Sequence, residues 1–221
     1  MRPAGFPITK DAVRKGGKPL VRFPLKQGNS GLTGNDAIVQ KCKMPPKLTY
    51  SYSMWLNLYS RNTKKTNVMQ FTVPDGSKMA TMALDIKAGG SDLRLTVAQS
   101  NFPNEHCEAV SSIFRDDKPG FLTLNKWHQV VITVEKFHTK HSHFKLYVDG
   151  KLACSKENKS GTTIEPEDHG LLFLSGPKSS APNAEVALVN FYPKRVLTPA
   201  EIAVQYTIEG GDRHLKGPPA E

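Results

Sequence analysis

From Ala37 onward the chain is a succession of short β-type runs separated by turn residues: AIVQKC, LTYSYSMWLNLY, NVMQFTV, MATMALDI, LRLTVAQ, WHQVVITVE, FKLYVDGKLACS, GLLFLS and EVALVNFY. Runs of this length at this spacing, with no helical repeat between them, predict an all-β antiparallel sandwich or barrel. One junction is sharper than the rest. Asp149-Gly150 between FKLYV and KLACS predicts a two-residue type I′ hairpin, because both turn positions need positive φ and Asp-Gly tolerates it. The register then pairs Val148 with Lys151 and Tyr147 with Leu152, with Phe144, Leu146, Val148 and Ala153 on one face. Continued without interruption, it sets Cys154 opposite Lys145, on the side of His143. A single helix is predicted in TPAEIAVQY, with Thr198 as N-cap, Pro199 as first helical residue, Glu201 as capping-box partner and Gly210-Gly211 as the stop.

Four of these pieces, YSYSMWLNL, NKWHQVVITV, FKLYVDGKLACS and EVALVNFYPKRVLTPAEI, stand in an order and spacing that resembles the laminin G-like, or concanavalin A-like, jelly-roll superfamily. The resemblance covers about residues 36 to 209. It implies two curved antiparallel sheets packed face to face, a jelly-roll sandwich with a short C-terminal helix. It does not imply one activity, since relatives include sugar-binding lectins, adhesion modules, glucanases and structural modules.

The charge is unevenly placed. Within residues 1 to 47, ten Lys or Arg stand against Asp11 and Asp36, a net +8 out of the formal +10 of the chain. Residues 1–35, rich in Pro, Gly and basic side chains, hold too few apolar residues to offset ordering entropy alone. They read as an extended basic arm that orders when a partner holds it, followed by the sandwich at 36–209 and a tail at 210–221. Arg2, Lys10, Arg14, Lys15, Lys18, Arg22 and Lys26 are the candidate partner-binding residues, suited to an acidic or nucleic-acid surface or to other proteins of a large assembly. No helix-turn-helix, zinc finger or aromatic RNA platform accompanies them.

Three cysteines, Cys42, Cys107 and Cys154, cannot all pair within the chain, and none has the spacing of a zinc ribbon or redox motif. Unpaired thiols and the lack of an apolar leader in MRPAGFPITKDAVRKGGKPL point to an intracellular or virion setting rather than a secreted one. No apolar run approaches the roughly 18 residues that span a bilayer.

Catalytic chemistry finds little to work with, and no catalytic residue is expected. Glucanases on this scaffold set acids at alternating positions of one strand, roughly E-x-D-x-x-E, so that they share a cleft. EVALVNFY offers only Glu185, with Ala187 at the next same-face position. His106 and Cys107 are strand neighbours that point to opposite faces, and no G-x-S-x-G elbow occurs. Ala187 also stands near a commonly acidic, calcium-linked position of the family, which leaves Asp75, Asp92, Asp116, Asp117 and Asp168 as loop acids and no cofactor expected. Tyr50, Tyr52, Trp55 and Tyr59 are aromatic candidates for a glycan, although Trp55 and Trp127 are expected in the core.

Three histidines, His138, His141 and His143, fall between the tryptophan strand and the hairpin. His141 and His143 share one side of an extended segment, and Cys154 is the third donor a zinc or copper site there would take. The competing reading is an exposed polar connection, where histidine and lysine sit in water. The expectation for function is a non-catalytic structural or interaction module anchored by its arm in a larger assembly, such as a virion capsid or nucleoprotein complex. The alternative is a lectin-like glycan-binding module.

Overall fold

The computed structural model describes residues 14–15, 18–19, 22–25, 38–43, 49–75, 78–99, 105–109, 122–136, 142–158, 169–174, 181–210 and 215. In chain order the strands are β1 (Arg14–Lys15), β2 (Lys18–Pro19), β3 (Arg22–Leu25), β4 (Ile38–Lys43), β5 (Tyr50–Leu58), β6 (Thr66–Asp75), β7 (Lys78–Ile86) and β8 (Leu93–Gln99). They continue as β9 (Glu105–Ala109), β10 (Trp127–Glu135), β11 (Ser142–Val148), β12 (Lys151–Asn158), β13 (His169–Leu174) and β14 (Ala184–Pro193), and the chain then enters helix α1 (Pro199–Glu209). Every run expected to be a strand is one, and β1, β2, β3 and β9 are additional. Among the described residues no helix is long and apolar enough to cross a membrane.

The strands form two antiparallel six-stranded sheets, ordered β12-β11-β10-β5-β14-β3 and β4-β13-β6-β7-β8-β9, with β1 and β2 as a separate ribbon. The period-2 pattern of YSYSMWLNL explains how β5 anchors the first sheet. Tyr50, Tyr52, Met54, Leu56 and Leu58 face the second sheet, where Met69, Phe71, Met82, Leu84, Ile86, Leu93 and Leu95 meet them in one buried core. Tyr52 stacks on Phe191 at 4.7 Å, and Tyr50 meets Phe71 edge-on at 5.3 Å. Each such large apolar side chain contributes about 1.5–3 kcal/mol by leaving water. Part of the segment read as an arm belongs here too: β3 pairs with β14, and Leu25 is fully buried. The partner that holds this piece is the domain's own sheet.

The hairpin forms as expected at its turn, with Asp149 at φ 50° and Gly150 at φ 75°, Val148 paired with Lys151 and Tyr147 with Leu152. Beyond that the register slips. A β-bulge between Leu146 and Tyr147 sets Cys154 opposite Leu146 and gives Lys145 to Ser155. The expected pairing of Cys154 with Lys145 is therefore corrected by one residue, and Cys154 packs against the core together with Ala153. Cys154 is also disulfide-bonded, which corrects the expectation of unpaired thiols.

The tryptophan strand and the hairpin are joined chemically. His128 Nδ1 lies 2.8 Å from the Asp149 carboxylate, whose other oxygen accepts the Gln129 N–H at 3.0 Å. His128 Nε2 accepts the Thr123 N–H at 3.0 Å, which places the ring proton on Nδ1. Both ring nitrogens are thus engaged in holding the turn against β10.

Candidate functional site

The outer face of the first sheet carries Ser51, Ser53, Trp55 and Asn57 from β5 beside Trp127, Gln129, Val131 and Thr133 from β10, by the alternation of each strand and their register. Helix α1 lies over part of it. Its start is set by a capping box: Glu201 N–H donates to Thr198 Oγ1, and the Glu201 carboxylate accepts the Thr198 N–H at 2.9 Å. Ile202 packs with Val131, Tyr147, Tyr192 and Leu197 in a second, smaller core.

Further along the helix the contacts are polar and aromatic. The two N–H groups of Gln205 Nε2 face three acceptors, Ser53 Oγ at 2.9 Å, the Tyr192 hydroxyl at 3.1 Å and Glu209 Oε1 at 2.9 Å, so that one N–H is shared. Trp55 Nε1 donates to Glu209 Oε2 at 2.8 Å, and its ring stacks on Tyr206 with centroids 5.7 Å apart and planes 13° apart. Gly210 is required at the helix end by close approach, since a Cβ there would meet the Tyr206 carbonyl at 2.9 Å and the Trp55 ring at 3.4 Å. Burial first, and then the nearby Asp149 charge, pushes the Tyr206 phenol above its ordinary value.

Beside these contacts opens a groove of about 420 Å³, lined by Trp55, Lys126, Trp127, Tyr206, Thr207, Gly210 and Leu215. Trp55 is buried and braces the platform, while Trp127 and Tyr206 are half-buried and Lys126 is exposed. Two aromatic rings beside a hydroxyl and an ammonium suit a flat ligand with one apolar face and a polar edge. A carbohydrate ring has this character.

The expected site residues are distributed differently. Trp55 and Trp127, expected in the core, sit on the outer face, where the helix buries the first and leaves the second partly open. His138 and His141 lie outside the described residues. His143 is half-buried on β11, with Nε2 3.3 Å from Ser155 Oγ and with Glu135 and Glu157 as its cross-strand neighbours. Cys154 cannot complete a metal shell with His141 and His143, because its sulfur is bonded and the bulge turns it toward the core. Among the described residues no group of three or more His, Cys, Asp or Glu could hold a metal ion. Of the arm residues, Arg2, Lys10 and Lys26 lie outside the described residues, and Arg14, Lys15, Lys18 and Arg22 are placed by their backbone alone, in β1, β2 and β3. Tyr206, Thr207 and Lys126 were not foreseen as site residues. The one signal in their favour is that Tyr206 shares the helix face of Ile202 and Glu209 at i+4 and i+7 spacing.

The fold recurs in known structures. The binding domain of Paraclostridial Mosquitocidal Protein 1 is similar with a TM-score of 0.58 at 13% identity, covering 91% of this chain and 46% of that one. The binding domain of botulinum neurotoxin serotype G gives 0.55 at 13% identity, covering 90% and 49%. A heptameric SAP-like pentraxin from Limulus polyphemus gives 0.54 at 12% identity, covering 85% and 82%. The chain spans less than half the length of the two toxin domains, and at these identities the likeness is one of fold. No curated protein matches the chain in sequence. The model of one family matches residues 32–203 of the 221, and by that match the chain belongs to the concanavalin A-like lectin/glucanases superfamily.

Proposed function

We propose that the protein is a non-catalytic binding module whose ligand is a carbohydrate, seated with the apolar face of one ring against Trp127 and Tyr206. The observation that carries this is the groove itself: two half-open aromatic rings stand on a buried brace, with Thr207 and Lys126 at the edge. A rigid platform lowers the ordering cost of binding. The non-catalytic part is supported by β14, where the single acid Glu185 is buried and accepts the Tyr59 hydroxyl, and Ala187 stands where a second acid would complete the glucanase pattern.

A second reading, anchoring in a larger assembly such as a virion through the basic arm, is favoured by the +8 charge of residues 1 to 47. A glycan array probed with the wild-type chain and Trp127→Ala separates the two. Binding that falls at least roughly tenfold in the variant, with an unchanged melting temperature, is the expected result. An array on which the wild-type chain binds nothing would discard the carbohydrate reading and leave the arm.

A further inference from the structure

Where the groove opens, the outer face of the first sheet is a small checkerboard. The β5–β10 register sets Trp127 opposite Asn57 and Trp55 opposite Gln129, so two indoles and two carboxamides share one patch. Both indoles line the groove. Residues directly opposite on one face hold their Cβ atoms about 4.5–5.5 Å apart, which sets Asn57 within side-chain reach of a ligand seated on Trp127. Further along this face the polar atoms are matched by the segment around α1. Ser51 Oγ accepts the Leu197 N–H and donates to the Arg195 carbonyl, Ser53 meets Gln205, and Trp55 Nε1 donates to Glu209. The two carboxamides are the exception: Asn57 Oδ1 and both amide atoms of Gln129 are buried and have no hydrogen-bond partner among the described residues. Exposure separates them. Gln129 is fully enclosed at 0 %, whereas Asn57 keeps 7 % of its surface open.

We infer that Asn57 reads the hydroxyls of the carbohydrate: its carboxamide engages two neighbouring hydroxyl groups at the edge of the ring that rests on Trp127. The ligand class is then a sugar with a free vicinal diol at that edge. The inference rests on the carbohydrate reading of the groove. A buried acceptor without a partner is costly, and it is matched only by a group that can donate. One hydroxyl donates to Oδ1 while its neighbour accepts from Nδ2, so a single carboxamide serves the pair. A sugar that lacks the donating hydroxyl leaves the buried oxygen unpaired and is rejected. Gln129 makes no ligand contact, since none of its surface is open.

The test titrates the full chain with methyl β-glucoside, methyl β-galactoside and methyl β-mannoside, and then with every monodeoxy derivative of the tightest binder. Wild type, Asn57→Leu, Gln129→Met and Trp127→Ala are compared, each with its melting temperature. For wild type, the derivatives lacking either of two adjacent hydroxyls are expected to bind roughly tenfold more weakly than the parent, the size of one hydrogen bond to a buried group. Asn57→Leu should bind the parent and those derivatives alike, Gln129→Met should keep the wild-type ratio, and Trp127→Ala should weaken every glycoside. A purely structural role for Asn57 would lower the melting temperature without touching the ratio. The wild-type comparison needs no variant, and Asn57→Ala supplies the ratio if Asn57→Leu does not fold. Equal binding of the parent and all derivatives by wild type, or a ratio that survives loss of the Asn57 amide, overturns the assignment and spares the groove. A ratio lost in Gln129→Met and kept in Asn57→Leu gives the contact to Gln129 and overturns it as well. Failure of every glycoside to bind overturns the carbohydrate reading itself.

Discussion

At Asp149 one carboxylate joins two segments that lie twenty residues apart. It accepts from His128 Nδ1–H and from the Gln129 N–H while its own backbone holds the positive φ of a type I′ turn. Asp149→Ala should lose both bonds and strain the turn, costing about 3 kcal/mol, whereas Asp149→Asn keeps an acceptor and tolerates the left-handed backbone, costing about 1 kcal/mol. Urea denaturation of the two variants measures this, and an alanine variant as stable as wild type would rule the network out as a support. The turn was legible in Asp149-Gly150 because φ preference is local. The bond to His128 was not, because a histidine on a strand shows no sign of which loop will reach it.

At the scale of elements, the helix and its docking have different origins. Thr198, Pro199, Glu201 and Gly210 specify where α1 starts and stops through contacts within a few residues. What it covers depends on β14 and β5, brought beneath it by the sheet. Tyr192 shows the consequence. Burial first, then the Glu209 charge, pushes its phenol up to about 12 against the help of Ser53 and Gln205. The folded pKa thus lies above the unfolded value of about 10. Between these values the unfolded chain gives up the proton and the folded chain keeps it, so stability falls as pH rises from 10 toward 12, by on the order of 2–3 kcal/mol at most. Tyr192→Phe should remove this part of the alkaline slope. Denaturation midpoints of both proteins at pH 9 and pH 11.5 give the comparison, and parallel losses would contradict it.

For the molecule as a whole, the two sheet orders set which edges meet. β12 ends the first sheet and β9 ends the second, and these two strands lie against each other. Cys154 is on β12 and bonded; Cys107 is on β9, and Cys42 is on β4 at the far edge. Strand order therefore predicts Cys107 as the partner. Alkylation of the denatured, unreduced chain should label Cys42 alone, and Cys107→Ser should lower stability by about 2–4 kcal/mol. A linked peptide joining Cys42 to Cys154 would refute the assignment. Such bonds persist in oxidising surroundings, so unpaired thiols no longer support a reducing compartment.

Strand positions, the hairpin and the helix caps were all available from the order of residues, because side-chain alternation, positive φ and capping act over a few positions. The family could be recognised for the same reason, through four local pieces in sequence. The bulge that turned Cys154 away from His143, the enclosure of β3 and the groove under Trp127 and Tyr206 have another origin. Each depends on which distant surfaces meet when two sheets and a helix close, and that choice is made by burial of the common core rather than by any residue's immediate neighbours.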